Sequence, residues 1–459
     1  MPIRPPEQVE VFPGLTESRP FRPIHYLGSK LRLVPALSEV VGQLDSRGGR
    51  LCDLFAGSGT VAAAFSQSRD VVAVDVQEYA RVLCSAVLHP AELPEGLAQN
   101  ILATANNSAL AERLSSAIAP LAEYEELCIG SALTGAPEAL CDLLEVGSLF
   151  AFERTGGGNR GSPLSEVMSR ATKNLTRMGL GESQASIVTR YFGGVYFSFR
   201  QAVTLDLLLQ TISETDPAHQ TTLLAAVLSC ASDAVNTVGK QFAQPLRPRK
   251  TDGTPKPRLG EQVRRDRELS IESLFVDWTA AYRQLPRSNR AHLAVRSDYR
   301  EFLRTFTGEV GVIYADPPYT RDHYSRFYHV LETMCLRDNP DVSTNKVGSQ
   351  VRLSRGGYRA ERHQSPFCIR SEAGSAFEAL FSGAQRFGSP IVLSYSPYDD
   401  TKQTHPRCIT VDQIVSIAKR YFGTVETVSA GPIKHNKLNA TARHLSASEE
   451  AELFVLCRP

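Results

Sequence analysis

The stretch Leu51-Cys52-Asp53-Leu54-Phe55-Ala56-Gly57-Ser58-Gly59-Thr60 decides the fold of this chain. It begins as a short apolar run, turns at the glycines and continues into VAAAF, a run of small residues that favours a helix. A second apolar run, Val71 to Val74, ends at Asp75. Short apolar runs of this kind are typical of parallel strands buried on both faces. The sequence therefore predicts a strand, a glycine turn, a helix and a second strand.

Strand-like runs return only in the last third of the chain. They lie at 293–296, 311–315, 391–395, 424–429 and 453–457. The roughly 200 residues before them are dominated by Ala, Leu and polar residues, and 109–127 and 201–212 suit helices. A Gly cluster at 156–158 predicts a loop. The pattern predicts an α/β fold whose mostly parallel sheet has helices on both faces and is split by a large, mainly helical insertion.

The composition is that of an ordinary globular protein. Hydrophobic residues make up 42% and charged residues 22% of 459. Nine cysteines without a C-x-x-C pair predict reduced, mostly buried thiols and argue against a disulfide framework or a zinc site, and no metal site is predicted. No signal peptide and no run of membrane-spanning length is present in the sequence, so we expect a cytoplasmic protein that does not enter the membrane.

The glycine turn and the acid that follows it suit a nucleoside. Gly57 and Gly59 allow the backbone to approach a bound nucleoside at the end of the sheet. Asp75 lies 22 positions after Asp53, where a carboxylate can accept hydrogen bonds from ribose hydroxyls. The turn alone is also compatible with a purely structural role or with another nucleotide.

The motif Asp316-Pro317-Pro318-Tyr319 carries the chemistry. It follows the predicted strand Val312-Ile313-Tyr314-Ala315. The amino nitrogen of adenine is a weak nucleophile, and a site activates it by accepting both of its N–H hydrogen bonds. The Asp316 carboxylate can accept one and the rigid Pro317 carbonyl the other, while Tyr319 offers a flat face to an extruded base. The alternative is a strand that merely ends in a proline turn.

With Tyr26-Leu27-Gly28-Ser29-Lys30 upstream, the chain resembles the Dam-like, alpha-group DNA adenine methyltransferases in motif content and order. The resemblance covers about 22–85 and 293–330, with weaker support in 391–396 and 447–457. It implies a Rossmann-like methyltransferase sheet, S-adenosylmethionine as cofactor, and methyl transfer to the N6 amino group of adenine in DNA after base flipping. It also implies a restriction-modification or phage-defence setting.

The resemblance assigns roles to individual residues. The catalytic motif is Asp316, Pro317, Pro318 and Tyr319. The residues that match the cofactor-binding motifs are Tyr26, Lys30, Asp53, Phe55, Gly57, Gly59, Asp75 and Asp298.

The domain organisation follows from the motif order. Residues 1–20 are predicted to form an N-terminal arm, and 21–85 together with 291–459 the catalytic domain. Residues 86–290 are predicted to be an inserted helical and DNA target-recognition region, because the family reads DNA sequence between the cofactor motifs and the catalytic motif.

Two basic tracts are predicted to be surface segments that contact DNA. Residues 240–270 carry nine Lys or Arg against four acids, and 337–370 carry seven against three. Such side chains release counterions from phosphates. The candidate DNA-binding residues are Lys240, Arg247, Arg249, Lys250, Arg352 and Arg355. The expected partners are double-stranded DNA and cognate restriction or defence proteins; the oligomeric state is open, with a monomer favoured.

Other readings of the motifs stay open. N4-cytosine methylation uses the same kind of site, although Asp at 316 favours adenine. RNA N6-adenine methylation is a second alternative. From other classes, the chain could be a non-catalytic DNA-binding protein on a methyltransferase fold, or a NAD-dependent dehydrogenase, which would leave the catalytic motif without a role.

Overall fold

The computed structural model describes residues 21–26, 30–155, 161–318, 324–347, 350–396, 407–430 and 452–459. Within them lie nine strands, numbered in chain order. They are β1 Leu51–Asp53, β2 Val71–Asp75, β3 Leu293–Arg296, β4 Val312–Ala315, β5 Thr344–Val347, β6 Gln350–Leu353, β7 Ile391–Tyr395, β8 Thr424–Ser429 and β9 Leu453–Arg458. The predicted arm at 1–20 and the predicted loop at 156–158 lie outside the described residues.

The described residues also form seventeen α-helices. They are α1 Val34–Leu44, α2 Thr60–Phe65, α3 Glu78–Leu88, α4 Leu97–Asn106, α5 Ala109–Leu133, α6 Glu138–Val146, α7 Leu149–Thr155, α8 Pro163–Arg177, α9 Ile187–Phe192, α10 Phe199–Ser213, α11 Pro217–Ala234, α12 Leu259–Arg267, α13 Ile271–Arg283, α14 Tyr299–Thr305, α15 His329–Leu336, α16 Ala373–Gln385 and α17 Val411–Ala418. None of these helices is long and apolar enough to cross a membrane.

Seven strands form one mixed sheet in the order β3-β2-β1-β4-β7-β9-β8. The first five in this order run parallel, whereas β9 pairs antiparallel with both β7 and β8. Three-residue β1 is buried throughout and lies between β2 and β4. The carboxyl ends of β1, β2, β4 and β7 therefore meet at one edge of the sheet.

Alternate residues of these strands build two apolar cores, one on each face. On one face Leu51, Val312 and Tyr314 pack with side chains of α1, α2 and α3. On the other, Cys52 and Ile313 pack with side chains of α14, α16 and α17. Each fully buried Val, Leu or Ile contributes roughly 1.5–3 kcal/mol. The predicted Rossmann-like sheet, with helices on both faces and extra helices elsewhere in the chain, is confirmed.

The chain divides into two compact units. The sheet unit takes its described residues from Met1–His89, Pro286–Asp322 and Ser365–Pro459, and the helical unit from Pro90–Leu285 and His323–Gln364. The predicted boundaries differ from these, because 323–364 was predicted to belong to the catalytic domain. In the structure α15 packs on α9 and α11, and the Tyr358 hydroxyl donates to the Ala243 carbonyl, so this segment is part of the helical unit.

The helical unit has its own core. Leu114, Leu121, Leu143 and Met168, from α5, α6 and α8, are fully buried there. Leu259 and Val263 of α12 join the same core. The prediction that 240–270 is a surface segment is therefore wrong for α12, because the helix buries one apolar face while its arginines supply the basic composition.

Candidate active site

The carboxyl edge of the sheet collects the predicted motifs. The glycine turn follows β1, Asp75 ends β2, and Asp316 follows β4 directly. Because β9 runs antiparallel, its amino end lies at the same edge, and Leu453 pairs with Tyr395 at the end of β7. The residue before β9, Glu452, is thereby brought to the site from near the end of the chain.

Backbone hydrogen bonds fix the start of the glycine turn. Leu54 N donates to the Tyr314 carbonyl at 3.0 Å, and Ala56 N donates to the Val74 carbonyl at 3.0 Å. The chain thus stays attached to both neighbouring strands as it leaves β1. Gly59 then precedes α2 with φ 78°, a left-handed conformation that glycine adopts without a steric cost.

Gly57 is required by the close approach of Tyr26. Its φ is 51°, and a Cβ built on it would lie 2.4 Å from the Tyr26 hydroxyl oxygen and 2.6 Å from Cζ. Two residues predicted to bind the cofactor are therefore in direct contact. Only the absence of a side chain at 57 lets the tyrosine ring cover the turn.

Asp75 ties the turn to β2. Its Oδ2 accepts a hydrogen bond from Gly57 N at 3.0 Å and its Oδ1 accepts one from Gln77 N at 2.9 Å. The carboxylate is half-buried and holds the loops after β1 and β2 together. Its oxygens retain lone pairs that can accept further hydrogen bonds.

Asp53 is a buried acid beneath the turn. Its Oδ1 accepts a hydrogen bond from Phe55 N at 3.3 Å, and only 1% of the residue is exposed. Burial, opposed by the hydrogen bond from Phe55 N and assisted by the negative charges of Asp316 and Asp75, raises the pKa of Asp53 to about 8. Asp53 is thus protonated over much of the physiological range, which limits the negative charge held at this edge.

Lys30 connects the catalytic motif to two further strands. Its Nζ lies 2.9 Å from Asp316 Oδ1 and 2.5 Å from Glu452 Oε1. The Ser394 hydroxyl on β7 donates to the same Glu452 oxygen at 2.7 Å. Lys30 and Glu452 are buried, whereas the Asp316 side chain keeps 20% of its surface exposed. Of these three charged side chains, that of Asp316 is therefore the most exposed.

Phe55 belongs to an aromatic cluster on the other side of the turn. Its ring centroid lies 5.6 Å from that of Tyr299 and 5.6 Å from that of Phe367, which meets it edge-on. Close by along the chain, Cys368 Sγ lies 3.8 Å from the Pro318 carbonyl oxygen. Half-buried Phe55 thus presents a ring in a fixed orientation.

The described part of the chain adds no support for the predicted roles of two site residues, Asp298 and Tyr319. Asp298 is the N-cap of α14, where its side chain accepts a hydrogen bond from Arg300 N at 2.9 Å. This contact gives it a structural role that needs no cofactor. Tyr319 lies outside the described residues, so its assignment as a stacking residue stays a prediction.

Glu452 and Ser394 are site residues that the sequence reasoning missed. The segments around them were included in the resemblance, but neither residue was singled out. The one available signal was an acid directly before the apolar run Leu453 to Cys457. Its pairing with Lys30 depends on the antiparallel insertion of β9, which local sequence does not reveal.

The predicted DNA-binding residues fall into two groups in the helical unit. Three are engaged internally: Lys240 with Asp266, Arg249 with Asp142 and Glu145, and Arg355 with the carbonyls of Leu144 and Leu246. Three are exposed: Arg247, Lys250 and Arg352.

Sequence comparisons agree with the geometry of the sheet unit. Residues 26–114 match the D12 class N6 adenine-specific DNA methyltransferase family. The resemblance to N6-adenine DNA methyltransferases is confirmed. Modification methylase LlaI of Lactococcus lactis subsp. lactis is 22% identical to the chain over 409 residues, which are 87% of this chain and 49% of that relative. The chain thus spans about half the length of the curated relative that it matches.

N6-adenine DNA methyltransferases of this family use S-adenosylmethionine as the methyl donor. The residues at the carboxyl edge fit such a ligand. Residue 57 is a glycine, so no side chain fills the turn that Tyr26 covers. The Asp75 carboxylate, at the end of the neighbouring strand, accepts a hydrogen bond from this turn. No group of His, Cys, Asp and Glu that could hold a metal ion occurs among the described residues. All nine cysteines are described, and eight of them are buried, as predicted.

Proposed function

We propose that this protein transfers a methyl group from S-adenosylmethionine to the N6 amino group of adenine in double-stranded DNA. The observation that carries the proposal is the placement of Asp316, which Lys30 holds at 2.9 Å, at the sheet edge that also bears the glycine turn and Asp75. A carboxylate whose orientation is fixed by a lysine and whose side chain remains partly exposed is suited to accept a hydrogen bond from a substrate amino group.

The chain's own residues position the amino nitrogen. In the proposed mechanism the Asp316 carboxylate accepts one N–H of the adenine amino group and the Pro317 carbonyl accepts the other. As the nitrogen becomes pyramidal, both hydrogen bonds strengthen, so they stabilise the transition state more than the ground state. Lys30 acts by fixing the orientation of Asp316, and Tyr319 is proposed to stack on the flipped base.

A second set of residues is proposed to hold the cofactor. When bound, S-adenosylmethionine supplies an electrophilic methyl group on a sulfonium ion. Asp75 would accept hydrogen bonds from the ribose hydroxyls, and Phe55 would pack against the adenine ring. Tyr26, Gly57 and Gly59 shape the turn, and Asp53 supports it from beneath. Asp298 caps α14, and we propose that it also lies near the adenine of the cofactor.

The biological setting is proposed from the substrate and from the relative. Because the relative is named a modification methylase, we propose that this chain acts in restriction-modification or phage defence beside a restriction or defence protein. DNA as substrate places the proposed activity in the cytoplasm. We propose a monomer as the active form.

Substitution of Asp316 tests the activity. We expect Asp316→Ala to bind DNA and S-adenosylmethionine as the wild type does, but to lose at least about a hundredfold in tritiated methyl transfer, as is typical for a group that stabilises a transition state. Glu309→Ala is the matched control, because this exposed acid lies before the opposite end of β4. Equal methyl transfer by Asp316→Ala and wild type would exclude the proposed mechanism.

Modification-sensitive sequencing of genomic DNA from an expressing host tests the base. The proposal expects N6-methyladenine in one sequence context, absent from a host that expresses Asp316→Ala. N4-methylcytosine, or methylated adenine in RNA and not in DNA, would replace the proposal with the corresponding alternative.

A further inference from the structure

Three arginines of the helical unit lie around one tyrosine. The guanidinium carbon of Arg326 lies 5.6 Å from the ring centroid of Tyr358. Burial raises the pKa of the Tyr358 hydroxyl, and the opposing charges nearby are all arginines: Arg326, Arg355, Arg362 and Arg247. Arg355 is held by the carbonyls of Leu144 and Leu246, which leaves Arg247, Arg326 and Arg362, hereafter the arginine cluster.

The charges of the arginine cluster are not balanced by ion pairs within the described ranges. None of its three members forms an ion pair with any carboxylate in the part of the chain that the structure describes. Burial lowers the pKa of Arg362, and the positive charge of Arg326 lowers it further, so these two guanidinium groups repel each other. Like charges at short range are unfavourable, and a bound anion would remove the repulsion.

The tyrosine that the cluster surrounds is rigidly held. Its hydroxyl donates to the Ala243 carbonyl, and its backbone N donates to the Ser354 hydroxyl oxygen at 3.1 Å. The buried ring of His329 meets it edge-on at 4.9 Å. Burial lowers the pKa of His329 to about 3, so this neighbour is neutral at physiological pH and adds no charge. Arg326 is thus fixed over a ring, and Arg362 Nη1 is anchored to the Arg359 carbonyl at 2.8 Å.

We propose that Arg326 and Arg362, together with Arg247, form a binding site for the phosphates of the DNA backbone. Arginine guanidinium groups match phosphate oxygens in a two-pronged geometry, and phosphate contacts position a protein on DNA without reading sequence. Arg247 is a candidate predicted from sequence and Arg362 lies in the predicted basic tract 337–370, whereas Arg326 lies outside both basic tracts. The inference rests on the proposed DNA substrate, and the test separates the two.

The salt dependence of DNA binding tests the site. The full chain is titrated with a fluorescent duplex of about 30 base pairs over about 50–200 mM salt. Each phosphate contact that is lost should reduce the slope of log K against log salt concentration by about 0.9. We therefore expect a reduction of about 0.9 for Arg326→Gln and Arg362→Gln and about twice that for the double variant. Arg326→Lys, which keeps the charge, should restore the wild-type slope.

Arg304→Gln is the matched control. The Arg304 guanidinium group is exposed but paired with Glu301 at 2.7 Å, and the residue is not among the candidate DNA-binding residues, so its loss should leave the slope unchanged. If wild type binds the duplex and the double variant has the wild-type slope, the site is refuted. If wild type binds no DNA, the proposed function itself fails.

A final measurement separates backbone phosphate from free phosphate. Inorganic phosphate is added at constant ionic strength and the thermal midpoint is followed. The proposal expects added phosphate to shift the midpoint of wild type no more than it shifts the midpoint of the double variant. Stabilisation of wild type alone by inorganic phosphate, combined with unchanged DNA slopes, would make the cluster a small-anion site and overturn the DNA assignment.

Discussion

Lys30 and Glu452, separated by 422 positions, form a buried ion pair in which Nζ and Oε1 are 2.5 Å apart. The same ammonium group lies 2.9 Å from Asp316, so one cation joins the N-terminal motif, the catalytic motif and the last strand. The pair forms because β9 inserts antiparallel between β7 and β8 and places its amino end at the carboxyl edge of the parallel strands. Residues far apart in sequence, Lys30 and Glu452, thereby fix the orientation of the Asp316 carboxylate together.

Glu452→Gln should weaken the hold on Lys30 and, through it, on Asp316. We expect the proposed methyl transfer to fall about tenfold in kcat with little change in KM for DNA, because about 1.4 kcal/mol of transition-state stabilisation is lost. Loss of a hydrogen bond to a charged group should also lower the free energy of unfolding by about 1–3 kcal/mol. Steady-state kinetics and urea unfolding measure the two effects.

Glu426→Gln is the control for Glu452. Glu426 lies on β8 and pairs with Arg458 at 2.8 Å, but both side chains are exposed, so its loss should cost below about 1 kcal/mol. A Glu452→Gln protein with wild-type kcat and wild-type unfolding would show that Lys30 orients Asp316 without this partner.

Gly57→Ala should disturb the cofactor turn in two ways. The left-handed φ of 51° costs an L-residue roughly 1–2 kcal/mol, and the added Cβ would meet Tyr26 at 2.4 Å. We expect S-adenosylmethionine binding, measured by calorimetry, to weaken by about tenfold, a loss of about 1.4 kcal/mol. Gly48→Ala is the control, since Gly48 has φ 70° and nothing within 4 Å of its Cβ position.

The comparison with Gly48→Ala isolates the contact with Tyr26. Tyr26→Ala should cost less cofactor affinity in the Gly57→Ala background than in wild type, because there the loss of the ring also relieves its clash with the added Cβ. If Gly48→Ala and Gly57→Ala have the same effect on stability and neither changes cofactor binding, then Tyr26 does not cover the turn in the way the structure shows.

Asp53 should make stability depend on pH. Burial raises its pKa to about 8 in the folded state, whereas in the unfolded chain it titrates near 4. A raised pKa stabilises the fold fully below about pH 4, and this contribution is lost as pH rises to about 8, by at most about 1.4 kcal/mol per pH unit. Asp53→Asn lacks this decline, so its stability relative to wild type should increase between these values.

Urea unfolding at several pH values measures the effect of Asp53, with Asp206→Asn as a comparison. Burial raises the pKa of Asp206 to about 7, and this acid lies in the helical unit, so its window should end about one pH unit lower. A stability difference between Asp53→Asn and wild type that is flat from pH 4 to 8 would contradict the buried, protonated acid.

Sequence patterns predicted the strands of the sheet well. The predicted range 391–395 coincides with β7, whose residues are all buried, and burial on both faces leaves a local apolar signature. The predicted range 424–429 coincides with β8, whose residues are exposed or half-buried and mostly β-branched. The glycine turn could be predicted equally well, since few residues other than glycine adopt the φ values found at 57 and 59.

Charge pairing over long distances was not predictable from sequence. In the tract 240–270, Arg267 cannot be distinguished from the other arginines by sequence, but its side chain is buried and paired with Glu125 of α5. The partner of Arg267 lies in another element, so only the tertiary structure determines it. Asp298 matches a cofactor motif and also caps α14 through a local hydrogen bond, because the two roles share the position after a strand.

Glu125 and Glu126 offer a direct comparison of a buried and an exposed ion pair. Glu125 accepts from Arg267 and, through Oε2, from Phe199 N at 2.9 Å, while Glu126 pairs with Arg200 at 2.8 Å where both side chains are more than 60% exposed. Glu125→Ala leaves the buried Arg267 without its carboxylate, and burial already lowers the pKa of this arginine to about 9. We expect a cost of about 3–5 kcal/mol for Glu125→Ala and below about 1 kcal/mol for Glu126→Ala.

Urea unfolding of these variants also shows where the cost arises. Most of it should come from the uncompensated charge of Arg267, because removing one partner of a buried pair is more destabilising than replacing both. The double variant Glu125→Leu/Arg267→Met should therefore be more stable than Glu125→Ala. Equal losses for Glu125→Ala and Glu126→Ala would mean that Arg267 reaches water when its partner is removed, and the helical core around α5 would then be less closed than the structure indicates.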